Sequence, residues 1–247
     1  MTGAVIPGRD GRMASLGSAF EPGMVSLTLS VLQSTHAAMM QGVEQLYGLL
    51  AQRHRLLSLV HDYGDGQQRV AMVEILSSSD PEKLLDDFCR VDVQCSVPGA
   101  FWRDLATADS TIPVPDGAST EQASGLDGST APVADALLRF RGEFSQVTVT
   151  DVVSGDAITV ARNVAESEYL VVDLAAWTAR LHTTDSWSTT AGSNVINSVE
   201  SNRGRGPMLS LNPDFETGAG RVRIHIEGII NTATAPTVEV RAKRAFI

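Results

Sequence analysis

Arg221-Val222-Arg223-Ile224-His225-Ile226-Glu227-Gly228 alternates polar and apolar residues with a period of two. On an extended chain successive side chains point to opposite faces, so Val222, Ile224 and Ile226 share a dry face and Arg223, His225 and Glu227 a wet one. This is the pattern of a strand in a sheet covered on one side only. Similar short runs occur at Ala136–Arg141, Gln146–Val152, Ala157–Val160, Tyr169–Leu174, Thr178–His182, Met208–Leu211 and Thr237–Ala242. Turn signals separate them: Ser154-Gly155-Asp156, Asn212-Pro213-Asp214 and Thr217-Gly218-Ala219-Gly220. Many short strands with no convincing helix predict an antiparallel β-sandwich over residues 133–247.

Upstream of that region, residues 108–132 are rich in Ser, Thr, Gly, Ala and Pro. They carry four acids (Asp109, Asp116, Glu121, Asp127) and no Lys or Arg. That composition reads as an exposed linker. Residues 1–107 then form a first domain. Val25, Leu27, Leu29 and Val31 alternate with Ser26, Thr28 and Ser30, a half-buried strand. Met39, Val43, Leu46 and Leu50 follow at helical spacing behind a Ser34 or Thr35 cap, with Arg53, His54 and Arg55 closing the helix against its dipole. Strands are expected at Leu56–Val60, Arg69–Leu76 and 88–97, with a Tyr63-Gly64-Asp65-Gly66 turn and a short helical turn through Lys83-Leu84-Leu85. The first domain is therefore α+β, an antiparallel sheet crossed by one helix, and the chain as a whole mainly β. Residues 1–23, rich in Gly and Pro, read as an extended arm.

Cys89 and Cys95 lie six residues apart in one predicted strand, a separation of about 20 Å. A disulfide needs Cα atoms within about 7 Å, so the two cannot pair there and are read as small buried hydrophobes. The N-terminus lacks the charged and apolar regions of a signal peptide, and no apolar run reaches the roughly 18 residues of a membrane span. Folding in a cytosol is the expectation. The net charge of −10, from 19 basic and 29 acidic residues, disfavours nucleic acid and anionic membranes as partners. Basic residues are Arg apart from Lys83 and Lys243, which suits bidentate pairing at protein interfaces but also follows from base composition.

The chemistry of catalysis is sparse. There is no Gly-x-Ser-x-Gly, and the five His residues (36, 54, 61, 182, 225) are scattered. No Cys-x-x-Cys, His-Glu-x-x-His or EF-hand loop occurs, so no metal or cofactor is implied. Asp86-Asp87 reads as a solvated turn; Asp151 with Asp156, and Glu166 with Glu168, read as turn chemistry. Gly8-Arg9-Asp10-Gly11 lacks the Lys-Ser/Thr of a phosphate loop. Arg203-Gly204-Arg205-Gly206 is a single Arg-Gly copy and reads as a flexible loop. Of the tryptophans, Trp102 is expected between the two modules and Trp177 partly exposed in a hairpin turn. No enzyme is expected. Arg9, Phe20, Trp177, Arg203 and Arg205 are the candidate exposed, partner-facing residues.

Two stretches carry a family resemblance. Pro7-Gly8-Arg9-Asp10-Gly11, then Phe20-Glu21-Pro22-Gly23-Met24-Val25-Ser26-Leu27, and the Val91-to-Trp102 stretch with its Phe-Trp-Arg end form the first. Ser154-Gly155-Asp156-Ala157-Ile158-Thr159, Ser167-Glu168-Tyr169-Leu170-Val171-Val172-Asp173, Thr178-Ala179-Arg180-Leu181 and Met208-Leu209-Ser210-Leu211-Asn212-Pro213 form the second. In this order they resemble siphophage distal tail proteins, often called minor tail proteins in phages of actinobacteria, with a galectin-like C-terminal sandwich. Family members carry one or two strands before the Gly-Arg-x-Gly loop, whereas this chain begins almost at the loop, from either a late start or a shorter first domain.

The resemblance implies a virion component of the tail tip or baseplate, assembled in the host cytoplasm. It implies a homohexameric ring, whose first domains stack on the tail tube while the sandwiches face outward or toward the adhesion apparatus. Tail tube protein and the tail-associated hub protein would be partners. DNA would pass through the lumen without specific recognition, and an acidic wall would suit its passage. The alternative is a carbohydrate-binding module that aids host recognition through the C-terminal sandwich.

Overall fold

The computed structural model describes residues 21–52, 55–64, 66–203, 209–230 and 236–247. The chain divides into two compact units. Of the described residues, the first comprises those up to Leu59 with Ala71–Ala100, and the second Val60–Val70 with Phe101–Ile247.

The first unit opens with β1 (Gly23–Leu32), followed by α1 (His36–Leu50). Thr35 caps the helix: its extended backbone lets Oγ1 accept from the Ala38 N–H at 3.3 Å, satisfying an otherwise orphaned donor. Met39, Val43 and Leu50 are buried and Leu46 is half-buried, as the helical spacing predicts. The helix stops at Leu50 with no basic residue in its last turn, and Arg55 instead donates to Gln52. Arg53 and His54 lie outside the described residues.

β2 (Leu57–Asp62) and β3 (Gln68–Ser78) pair with each other, and both run from one unit into the other. β4 (Glu82–Leu85) replaces the expected helical turn. It forms a hairpin with β5 (Phe88–Val97) across Asp86-Asp87, because Glu82 and Lys83 find ladder partners in Arg90 and Cys89 that local propensity does not show. Within this unit β5 lies between β1 and the end of β3. One face of β5 is apolar throughout: Cys89, Val91, Val93, Cys95 and Val97 are all buried. Both cysteines are free, and burial pushes the Cys95 thiol up. Met39, Val43 and Cys89 form one cluster with Val31 and Tyr47 against it.

The second unit begins with the β2–β3 hairpin end and β6 (Trp102–Asp104), then β7 (Ala108–Pro113), β8 (Gly117–Gln122) and a 3-10 turn at Ser124–Leu126. There follow β9 (Leu137–Arg141), β10 (Phe144–Asp151), β11 (Ala157–Val164), β12 (Tyr169–Asp173) and β13 (Thr178–His182). Then come β14 (Ser193–Asn194), β15 (Val199–Ser201), β16 (Pro213–Asp214), β17 (Arg221–Ile230), β18 (Thr237–Ala242) and β19 (Ala245–Phe246). One sheet runs β15-β11-β10-β17-β16 with β8 also on β17; the other runs β14-β13-β12-β9-β18-β7. Their inner faces share one core that includes Leu138, Phe140, Val149, Ile158, Leu170, Ile224, Ile226 and Val240. This is an antiparallel β-sandwich, and Val222, Ile224 and Ile226 face its core.

Residues 108–132 are not an exposed linker. β7 pairs with β18 from Ala108↔Ala242 to Pro113↔Thr237, and β8 pairs with β17. Ile112, Val114, Ala123, Leu126 and Ala131 are buried in the sandwich core. Small and polar residues suit these strands because their partners, β18 and β17, carry more of the buried apolar side chains.

Candidate assembly interface

β1 has an unusual edge. All ten of its residues pair with β5, from Gly23↔Val97 to Leu32↔Phe88, and no described residue pairs with its other side. The row of N–H and C=O groups on that side is a template for another strand. Among the described residues nothing blunts it: Gly-Met-Val-Ser-Leu-Thr-Leu-Ser-Val-Leu holds no charge and no Pro, and the pairing has no bulge. The edges of the sandwich differ. β14 and β15 are two and three residues long, β8 carries Glu121, and β7 carries Asp109 and Pro113.

The solvent-side face beside this edge is graded. At one end Leu32, Phe88 and Leu85 stand directly across from one another, with Leu32 68% and Leu85 63% exposed. Next, Arg90 meets Glu82 at 3.1 Å, and Thr28 Oγ1 donates to Asp92 Oδ1 at 2.7 Å. Met24, 62% exposed, stands opposite Ser96 at the far end. Exposed ion pairs contribute little, so the apolar row is the energetically useful part of this face.

The sandwich presents a different surface on the β9–β18 sheet. Residues 183–192 fold back across its outer face. Trp187 stacks on two guanidinium groups, 4.4 Å from Arg139 and 4.0 Å from Arg241. Arg139 is buried and paired with both Asp185 and Glu239. Arg241 grips Asp109 through two bonds of 2.8 Å, which holds the Asp109 carboxyl below its usual range. His182 Nε2 lies 2.9 Å from Ser188 O, and Gly192 closes the strap at φ +82°, where an added Cβ would meet Leu181 O at 2.6 Å.

Among solved structures, the chain superposes on the Dit protein of phage SPP1, a paradigm of the hub adsorption apparatus in phages infecting Gram-positive bacteria. The TM-score is 0.63 over 98% of this chain and 87% of that one, at 12% identity. This chain has the fold of a phage distal tail protein. Two structures of the phage P2 baseplate, with calcium and with strontium, align at TM-scores of 0.34 and 0.33 and 10% and 9% identity, over 91% of this chain and 80% of theirs. No protein-family model matches the chain, and neither does any curated protein.

Of the residues singled out by sequence, the structure describes Trp177 and Arg203. Arg9, Phe20 and Arg205 lie outside the described residues. Trp177 occupies the β12–β13 turn at φ +50°, half-buried against the sandwich core. Arg203 Nε pairs with Asp156 Oδ1 at 2.7 Å and holds a turn in place. Trp102 stands opposite Phe246 in the β6–β19 ladder. The four described histidines remain apart: His36 on Asp86 O, His61 beside Tyr63, His182 in the strap and His225 on Thr120. Among the described residues no group of three His, Cys, Asp or Glu could hold a metal ion, and no helix is long and apolar enough to cross a membrane.

Sequence reasoning missed the Trp187 stack. Its members come from positions 139, 187 and 241, and only strand pairing brings them together.

Proposed function

We propose that this protein is a non-catalytic structural component of a phage tail tip, forming a homohexameric ring that joins the tail tube to the hub and adhesion apparatus. The first unit forms the ring and abuts the tube, and the sandwich is directed toward the adhesion apparatus. The observation that carries this reading is the uncharged edge of β1, which no described residue pairs. A ring needs a heterologous contact that closes by rotation, and strand addition along a ten-residue edge supplies one. The distal-tail fold supports it, because the SPP1 protein of that fold belongs to a hub adsorption apparatus. The net charge of −10 suits a lumen through which DNA passes without sticking.

Gold-labelled antibody against the chain, applied to intact virions, tests the placement. Label confined to the distal end of the tail is the expected result. Label on the capsid, or on no part of the particle, contradicts it.

A further inference from the structure

The second unit contains a cleft of about 430 Å³, within the range of small-ligand sites, that the structural role does not use. The start of β3, β6 and β19 build it, and Arg69, Gln67, Leu105, Gly128, Arg244 and Phe246 are among its walls. Two guanidinium groups face it in different states. Arg244 pairs with Asp104 and donates to Asp127 O at 3.3 Å. Arg69 has no carboxylate partner among the described residues, although Asp104 is its cross-strand neighbour. Instead its guanidinium packs on the Phe246 ring, 3.5 Å from the centroid, with Tyr63 at 4.8 Å. Stacking of this kind fixes a guanidinium in place while leaving its in-plane N–H groups free to donate. Asp62, the acid at the end of β2, is already engaged: Gln68 Nε2 and the Gly64 N–H both donate to it at 2.8 Å.

The cleft therefore offers a preoriented Arg fork with one excess positive charge, in a chain whose net charge is −10. We infer that the Arg69–Arg244 cleft binds an oxyanion, a phosphate or carboxylate group carried by a small polar ligand. Arg69 takes the oxyanion bidentately, and the Gln67 amide and Arg244 face the remainder of the ligand.

The test uses the full chain and thermal unfolding, with sodium phosphate and sodium acetate titrated separately against sodium chloride at matched ionic strength. For a dissociation constant in the millimolar range, 50 mM of the right anion raises Tm by about 3 °C or more beyond chloride. A shift with phosphate alone, acetate alone or both supports the cleft and says which group it takes. Arg69→Gln abolishes the shift. Leu105→Glu sets a carboxylate at the exposed mouth without touching the core, and it weakens binding at least tenfold, so it decides the matter if Arg69→Gln unfolds. No shift with either anion, or an equal shift in both variants, overturns the inference.

Discussion

Asp214 accepts hydrogen bonds in a tight turn, among them from the Glu216 and Thr217 N–H groups at 3.1 and 2.9 Å, from Thr217 Oγ1 at 2.6 Å, and from Arg223 at 3.2 Å. The Thr217 hydroxyl, then the turn amides, hold its carboxyl at about 2, below the ordinary 3.8. A depressed carboxyl stabilises the fold above its unfolded value and loses that contribution as pH falls through its folded value. The turn is thus expected to weaken between pH 4 and 2. Melting curves of wild type and Asp214→Asn should differ at pH 6 and converge near pH 2; a constant gap contradicts the assignment. In the core, Phe140 is fully buried, and Phe140→Ala should cost about 3–5 kcal/mol in denaturant unfolding. Both residues were partly legible. Asn212-Pro213-Asp214 is a turn signal in the sequence, but the structure places Pro213–Asp214 on a short strand with the turn after it. Which acid carries the turn depended on the hydroxyl three residues on.

At the scale of elements, alternation located most strands well. β5 and β17 lie where polar and apolar residues exchange, because each has one dry and one wetter face. The reading failed where a strand borrows its stability from a distant neighbour. β7 looked like a linker because its partner, β18, lies more than a hundred residues away and supplies the apolar bulk. β4 looked helical because its short run has no period of its own. The open edge of β1 could not be read as an edge until its pairing was known. The edge makes a specific prediction: Ser26→Lys with Ser30→Lys should abolish self-association while leaving the melting temperature within a degree or two, since both side chains are exposed. Retained oligomers would place the contact elsewhere. Thr35→Ala should cost about 1 kcal/mol through the lost cap. In the strap, Trp187→Ala removes two cation–π contacts; faster proteolysis or hydrogen exchange across residues 183–192 is expected, with the sandwich core still protected.

On the scale of the whole molecule, two units carry different kinds of surface. Among the described residues, the first leaves one side of a long strand unpaired and exposes an apolar row, whereas the sandwich ends its sheets in short, charged or Pro-bearing strands. A monomer gains nothing from an unblunted edge, and natural sheets ordinarily protect theirs. The proposed ring rests on this asymmetry. The most direct test is the mass of the purified chain in solution, measured by light scattering and native mass spectrometry over a hundredfold range of concentration. The account predicts a discrete species of six copies that dissociates in the β1 double variant. A chain that stays monomeric throughout, even in the presence of candidate tail-tube and hub proteins, contradicts it.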